Sequence, residues 1–154
     1  MNKIRLIIIS IVFSLFSHSI LYAEGLFLVR KHAKPEDVML KLQSKLTEYG
    51  YKIAHIQKCD GGLEGMGYKT DYYKVVFFGK PKEVRKLSKK YPQLIPYLPL
   101  KIAIFSEKED TLLTAVNPGA LTMFFQDEEI KVQLLRWKND IKAILAEVRH
   151  KNQS

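Results

Sequence analysis

Val75-Val76-Phe77-Phe78-Gly79-Lys80-Pro81 is the stretch on which the fold turns. Four consecutive apolar residues closed off by a glycine and a proline are more than a one-sided strand needs. The run from Tyr72 to Gly79 is therefore expected to be a strand covered on both faces, in the middle of a sheet. Pro81 then opens a helix from about Lys82 to Tyr91. Val84, Leu87 and Tyr91 face inward, Lys82, Arg85, Lys86, Lys89 and Lys90 face water, and Pro92 ends it.

The same reading extends upstream. Leu26 to Arg30 is a short apolar first strand. Pro35, Glu36 and Asp37 open a helix, because proline gives up no needed donor in a first turn and acids suit the positive end of the dipole. Val38, Met39, Leu42 and Leu46 recur at steps of three and four, and Gly50 stops the helix. Tyr51 to Gln57 alternates as a half-buried strand would, with Tyr51, Ile53 and His55 on one side.

Downstream, Pro96 and Pro99 make Gln93 to Pro99 irregular. Leu100 to Phe105 and Thr111 to Val116 read as two strands joined by the charged turn Ser106 to Asp110, and Asn117-Pro118-Gly119 breaks the pattern. The longest helix runs from about Asp127 to His150, acidic at its start and basic at its end. Its stripe of Ile130, Leu134, Trp137, Ile141, Leu145 and Val148 must cover either the sheet or a partner chain. The sum is an α+β two-layer sandwich. It has about five strands in a mixed or antiparallel sheet, two helices, and a long C-terminal helix.

The first 23 residues read as an address. Lys3 and Arg5 precede an apolar run from Leu6 to Phe16, and Leu21-Tyr22-Ala23 ends on a small residue, the layout of a signal peptide with the mature chain starting at Glu24. The alternative is an uncleaved membrane anchor, although His18 and Ser14, Ser17 and Ser19 make a poor spanning helix. The expected organisation is a signal peptide over 1–23, one α+β domain over 24–125, and an amphipathic helix over 126–154 packed on that domain or on a partner. Lys3 and Arg5 account for two of the 25 basic residues and none of the 16 acidic ones, so the net charge falls only from +9 to +7 on cleavage. For an exported, periplasmic protein that charge points away from nucleic acid and toward acidic solutes or weak contact with an anionic membrane surface.

Phe78-Gly79-Lys80-Pro81, followed some twenty residues later by Leu98-Pro99-Leu100-Lys101-Ile102, a hairpin and Asn117-Pro118, resembles the domain-of-unknown-function 302 family from about Leu26 to Phe125. The resemblance implies a small two-layer α+β fold that often pairs into homodimers, and no established activity. Many members carry Asp-His near the end of the strand before the loop. Counted back without gaps from Phe78-Gly79, those positions hold Lys58 and Cys59 here. A function that depended on that histidine would need Cys59 in its place as ligand or nucleophile.

Cys59 is the only cysteine, so no intramolecular disulfide forms. A neighbouring flexible loop would favour a reactive thiol there, whereas Asp60 opposes a thiolate. His32 and His55 match no compact metal signature with it, and a structural histidine in a strand is the plainer role for His55. Gly61-Gly62-Leu63-Glu64-Gly65-Met66-Gly67 invites comparison with phosphate-cradling loops. It lacks the Lys-Ser or Lys-Thr that would follow, and Glu64 repels an anion, so it reads as a connector or a ligand-covering flap. No serine sits in a nucleophile elbow and no paired carboxylates recur, so enzyme chemistry has no positive support.

The reading is therefore an exported binding or accessory domain, with no catalytic residue, metal or cofactor named by the sequence. A small acidic or apolar ligand is expected where the glycine loop closes over the two proline turns, with Cys59, Tyr68, Gly79, Lys80 and Tyr97 as site residues. The alternative is a thiol- or metal-dependent redox protein centred on Cys59, and a third class is an interaction module built on the long helix.

Overall fold

The computed structural model describes residues 25–67 and 72–150. Five strands, β1 (Leu26–Lys31), β2 (Lys52–Lys58), β3 (Tyr73–Gly79), β4 (Leu100–Glu107) and β5 (Asp110–Val116), form one antiparallel sheet in the order β1-β5-β4-β3-β2. The helices are α1 (Pro35–Glu48), α2 (Asp60–Gly65), α3 (Pro81–Lys90) and α4 (Glu128–Arg149), with two 3-10 helices, Pro92–Tyr97 and Pro118–Phe124. The α+β sandwich is thus realised with a purely antiparallel sheet.

Since β1 and β2 are the two edge strands, α1 must cross the whole sheet between them. Its 14 residues span about 21 Å at ~1.5 Å per residue, and five strands ~4.8 Å apart span about 19 Å, so the helix is as long as the crossing requires. Val38, Met39, Leu42 and Leu46 are buried beneath it, as their spacing predicts, and Gly50 supplies the positive φ of 76° that turns the chain into β2. α4 packs beside α1. Asp127 caps it by accepting from the Glu129 and Ile130 amides, and Lys31 and Lys41 donate to the last carbonyls, including Val148 O at 2.6 Å from Lys31 Nζ. All six residues of its predicted stripe are buried, together with Ile144. The stripe is covered by the chain's own sheet and α1, and so carries no argument for a partner chain.

Three sequence expectations need correction. The middle strand is β4, whose Leu100, Ile102 and Ile104 are buried, and β3 is second from the edge with helices over only one face. Its apolar run is double-sided because Val76 and Phe78 enter the core while Val75 and Phe77 belong to an apolar but helix-free face. In β2 the pairing shifts between Ile53 and His55, and this bulge turns both Ile53 and Ile56 inward and leaves His55 exposed beside Gln57 and Phe77. The simple alternation of Tyr51, Ile53 and His55 on one face is therefore broken. Finally, the glycine-rich stretch begins with the short helix α2, and Gln93 lies in a 3-10 helix whose Pro92 sits where no donor is needed.

The helix-free face carries the cross-strand rows Leu28, Thr114, Ala103, Val75, Gln57 and Arg30, Leu112, Phe105, Tyr73. Leu26, Leu28 and Val116 on it are exposed. The core side, by contrast, is sealed. Replacing Leu42, which is 0% exposed, by alanine is expected to cost about 2–5 kcal/mol, whereas Val132→Ala on the solvent side of α4 costs less than about 0.5 kcal/mol. Urea unfolding checks this, with a lower midpoint and unchanged slope for Leu42→Ala alone.

Candidate functional site

The strand register defines two ends of the sheet. At one end Lys52 pairs with Gly79, Phe78 with Leu100 and Leu26 with Val116. α3 and both 3-10 helices are inserted at this end, since each leaves from or returns to these strand termini. At the other end are Lys58 opposite Lys74, Phe105 opposite Tyr73, and the acidic β4–β5 turn. Cys59 and α2 follow Lys58 and so belong to that far end, a strand length from Gly79 and Tyr97. The expectation that the glycine loop closes over the proline turns is corrected accordingly: antiparallel pairing fixes the two at opposite ends of the β2–β3 pair. Tyr68 lies outside the described residues.

The remaining predicted residues divide. Gly79 sits where a Cβ would come within 2.9 Å of Val84 Cγ2, so glycine is required by the close approach of α3. With Pro81, Val84 and Pro99 it lines a shallow cleft of about 500 Å³ rimmed by Lys52 and Arg85. Lys80 turns away over the Tyr51 ring, 4.7 Å from its centroid. Tyr97 lines a different pocket.

That pocket, of about 260 Å³, lies between the two 3-10 helices where β4 begins and β5 ends. Leu100, Leu121, Leu134, Trp137 and Ile141 form its apolar interior, and the exposed residues Tyr97, Lys101 and Val116 form its mouth. Trp137 is held in place by polar partners at its back. Its Nε1–H donates to Glu83 Oε1 at 2.8 Å, the same carboxylate pairs with Arg136, and Arg136 reaches Asp140 at 3.5 Å. Asp140 in turn accepts from the buried Tyr51 hydroxyl at 2.6 Å, and burial followed by this bond pushes the phenol well above its ordinary value. Every donor of the indole is thus used inside the protein, and its ring is left to present an apolar wall.

Sequence reasoning placed Trp137 only in a helical stripe. The available signal was that it is the chain's single tryptophan, a side chain whose N–H needs a partner when buried.

A larger, polar groove of about 680 Å³ lies between β1 and α1. Its cations are already committed, Lys31 and Lys41 to the α4 carbonyls and Lys45 to Glu48 and Glu147, so it reads as a solvated helix seam. At the far end, Cys59 Sγ is 3.9 Å from Gln57 O, and burial, then Asp60, push its thiol above the ordinary value, which disfavours a thiolate. Among the described residues no group of three or more His, Cys, Asp and Glu is placed to hold a metal ion. His32 pairs with Asp110 at 3.0 Å.

The family model for the Domain of unknown function DUF302 matches residues 28–148, and the chain belongs to that family. The match runs through α4, so the long helix is included in it. A crystal structure of an uncharacterized conserved DUF302 protein from Bacillus stearothermophilus is similar with a TM-score of 0.73 at 16% sequence identity, over 82% of this chain and 100% of that one, a likeness of fold. No curated protein matches the chain.

Glu129 at the start of α4 ties the pocket end together by pairing with Lys86 at 2.9 Å and with Lys90. These two ammonium groups hold its carboxyl at about 2, below the ordinary 4.5. A depressed folded-state value gives stability that is present above pH 4.5 and is lost as pH falls toward 2. Glu129→Gln is expected to flatten that part of the acid unfolding curve while leaving the curve above pH 6 parallel to the parent, as followed by circular dichroism.

Proposed function

We propose that the protein is an exported, periplasmic binding domain that works as a homodimer and holds a small amphiphile with an acidic head in the Trp137 pocket. The observation that carries the reading is the pairing of an apolar interior with Lys101, the single charged side chain among the residues lining the mouth, whose ammonium rests 5.8 Å from the Phe77 ring centroid. An apolar tail fits the wall of Leu134, Trp137 and Ile141, and a carboxylate or similar group would be met by Lys101 on turning its ammonium from the Phe77 ring to the mouth. Export is supported by the charge, apolar run and small-residue order of residues 1–23, which lie outside the described structure.

The helix-free sheet face supports the homodimer. Five strands ~4.8 Å apart, six to eight residues long at ~3.3 Å each, offer about 500 Å² per copy, so two faces bury about 1,000 Å², the lower limit of a specific interface. The redox alternative at Cys59 is the weaker reading, because its surroundings favour the protonated thiol.

Two measurements test these proposals on the protein spanning 24–154, which retains every core residue from Phe27 to Val148. Octanoate should change the emission of the single tryptophan, and Lys101→Glu should weaken octanoate binding by roughly three- to ten-fold while leaving octanol binding unchanged. No change in emission at millimolar octanoate contradicts the ligand reading. Light scattering should give twice the chain mass and Leu28→Lys should halve it; a parent protein that is monomeric at high micromolar concentration contradicts the dimer.

A further inference from the structure

We infer that the pocket end of the domain docks on an anionic phospholipid bilayer, with the two 3-10 helices entering its interface. Four large apolar side chains project from these helices: Ile95 is 55% exposed, Tyr97 42%, Met123 75% and Phe124 70%. Exposed apolar residues are ordinary when scattered singly, but these are confined to two short segments that face each other across one apolar pocket.

Charge at this end fits a lipid headgroup layer. Lys52, Lys82, Arg85, Lys89 and Lys101 are all exposed on β2, α3 and β4 at or next to it. Of the acids close by, Glu83 pairs with Arg136, Glu128 with Lys131 and Glu129 with Lys86 and Lys90, and Asp127, exposed three residues from Phe124, is engaged by the α4 amides it caps, while the exposed acids Glu107 and Glu109 belong to the opposite end. An apolar tip flanked by cations is the pattern by which a protein lies on an anionic interface.

The chain's point of entry agrees. Asn117 N–H donates to Gly25 O at 2.9 Å, so the polypeptide joins the domain beside the second 3-10 helix. A retained N-terminal anchor would tether the domain by this end. Docking here would also set the mouth of the Trp137 pocket against the acyl layer from which an amphiphile could enter. The inference rests on the proposed export only in requiring that the protein meets a membrane.

Vesicle flotation of the 24–154 protein tests it, with vesicles of phosphatidylcholine alone and of phosphatidylcholine with phosphatidylglycerol. Binding is expected to the phosphatidylglycerol vesicles only and to fall at least ten-fold in Met123→Ser/Phe124→Ser, while Val132→Ser/Leu135→Ser, apolar positions also exposed but on α4, binds as the parent does. No binding to phosphatidylglycerol vesicles, binding that survives Met123→Ser/Phe124→Ser, or loss in the α4 pair instead overturns the inference. Because Met123 and Phe124 do not line the pocket, octanoate binding in solution should be unchanged in the first pair, so failure of docking and failure of the ligand reading are separately visible.

Discussion

The Glu83 carboxylate is the constraint on which the pocket end depends. It comes from the first turn of α3 and is met by two consecutive side chains of α4, Arg136 and Trp137. A single acceptor shared between a guanidinium and an indole N–H fixes the rotation of α4 about its own axis as well as its distance from α3. Through Arg136 and Asp140 the same network reaches Tyr51 at the start of β2. Removing one member of such a partly buried set strands the others, which costs more than the bond itself is worth.

With α4 pinned there, the other contacts fall into line. Glu129, in the first turn of the helix, meets Lys86 and Lys90, and the far end of the same 22-residue helix meets Lys31 and Lys41. Asn117 caps the second 3-10 helix by accepting from the Gly119 amide at 2.9 Å, and Gly119 leaves room for Lys138, whose Cδ would be 2.7 Å from any Cβ there. The pocket exists because these two short helices are held apart over α4, with the indole between them as a wall.

Much of this was legible in the sequence. The α1 and α4 stripes could be read because helical burial repeats every three to four residues and each residue votes for the same face. The pairing of strands could not be read the same way. A one-residue bulge in β2 reversed the face of His55, and nothing at Ala54 announces it. The run Val75 to Phe78 reads as a strand buried on both sides, but half of it belongs to a face without helices. The site was misplaced for a related reason: adjacency of Cys59 and the glycine loop to β3 in sequence concealed that β2 carries them the full length of the sheet away from Gly79. In sequence Gly79 is only the residue that closes the apolar run, whereas the packing reason for it is Val84. The Glu83 to Trp137 bond joins residues 54 positions apart, beyond any local pattern.

The ligand reading of the space beside Trp137, against a packing defect, is decided by a crystal structure of the 24–154 protein grown with octanoate. It predicts continuous density between Tyr97 and Trp137, with the carboxylate turned to Lys101 and the Glu83 to Trp137 bond intact. A pocket that stays without ligand density, or octanoate bound instead in the cleft between Lys52 and Arg85, would contradict it.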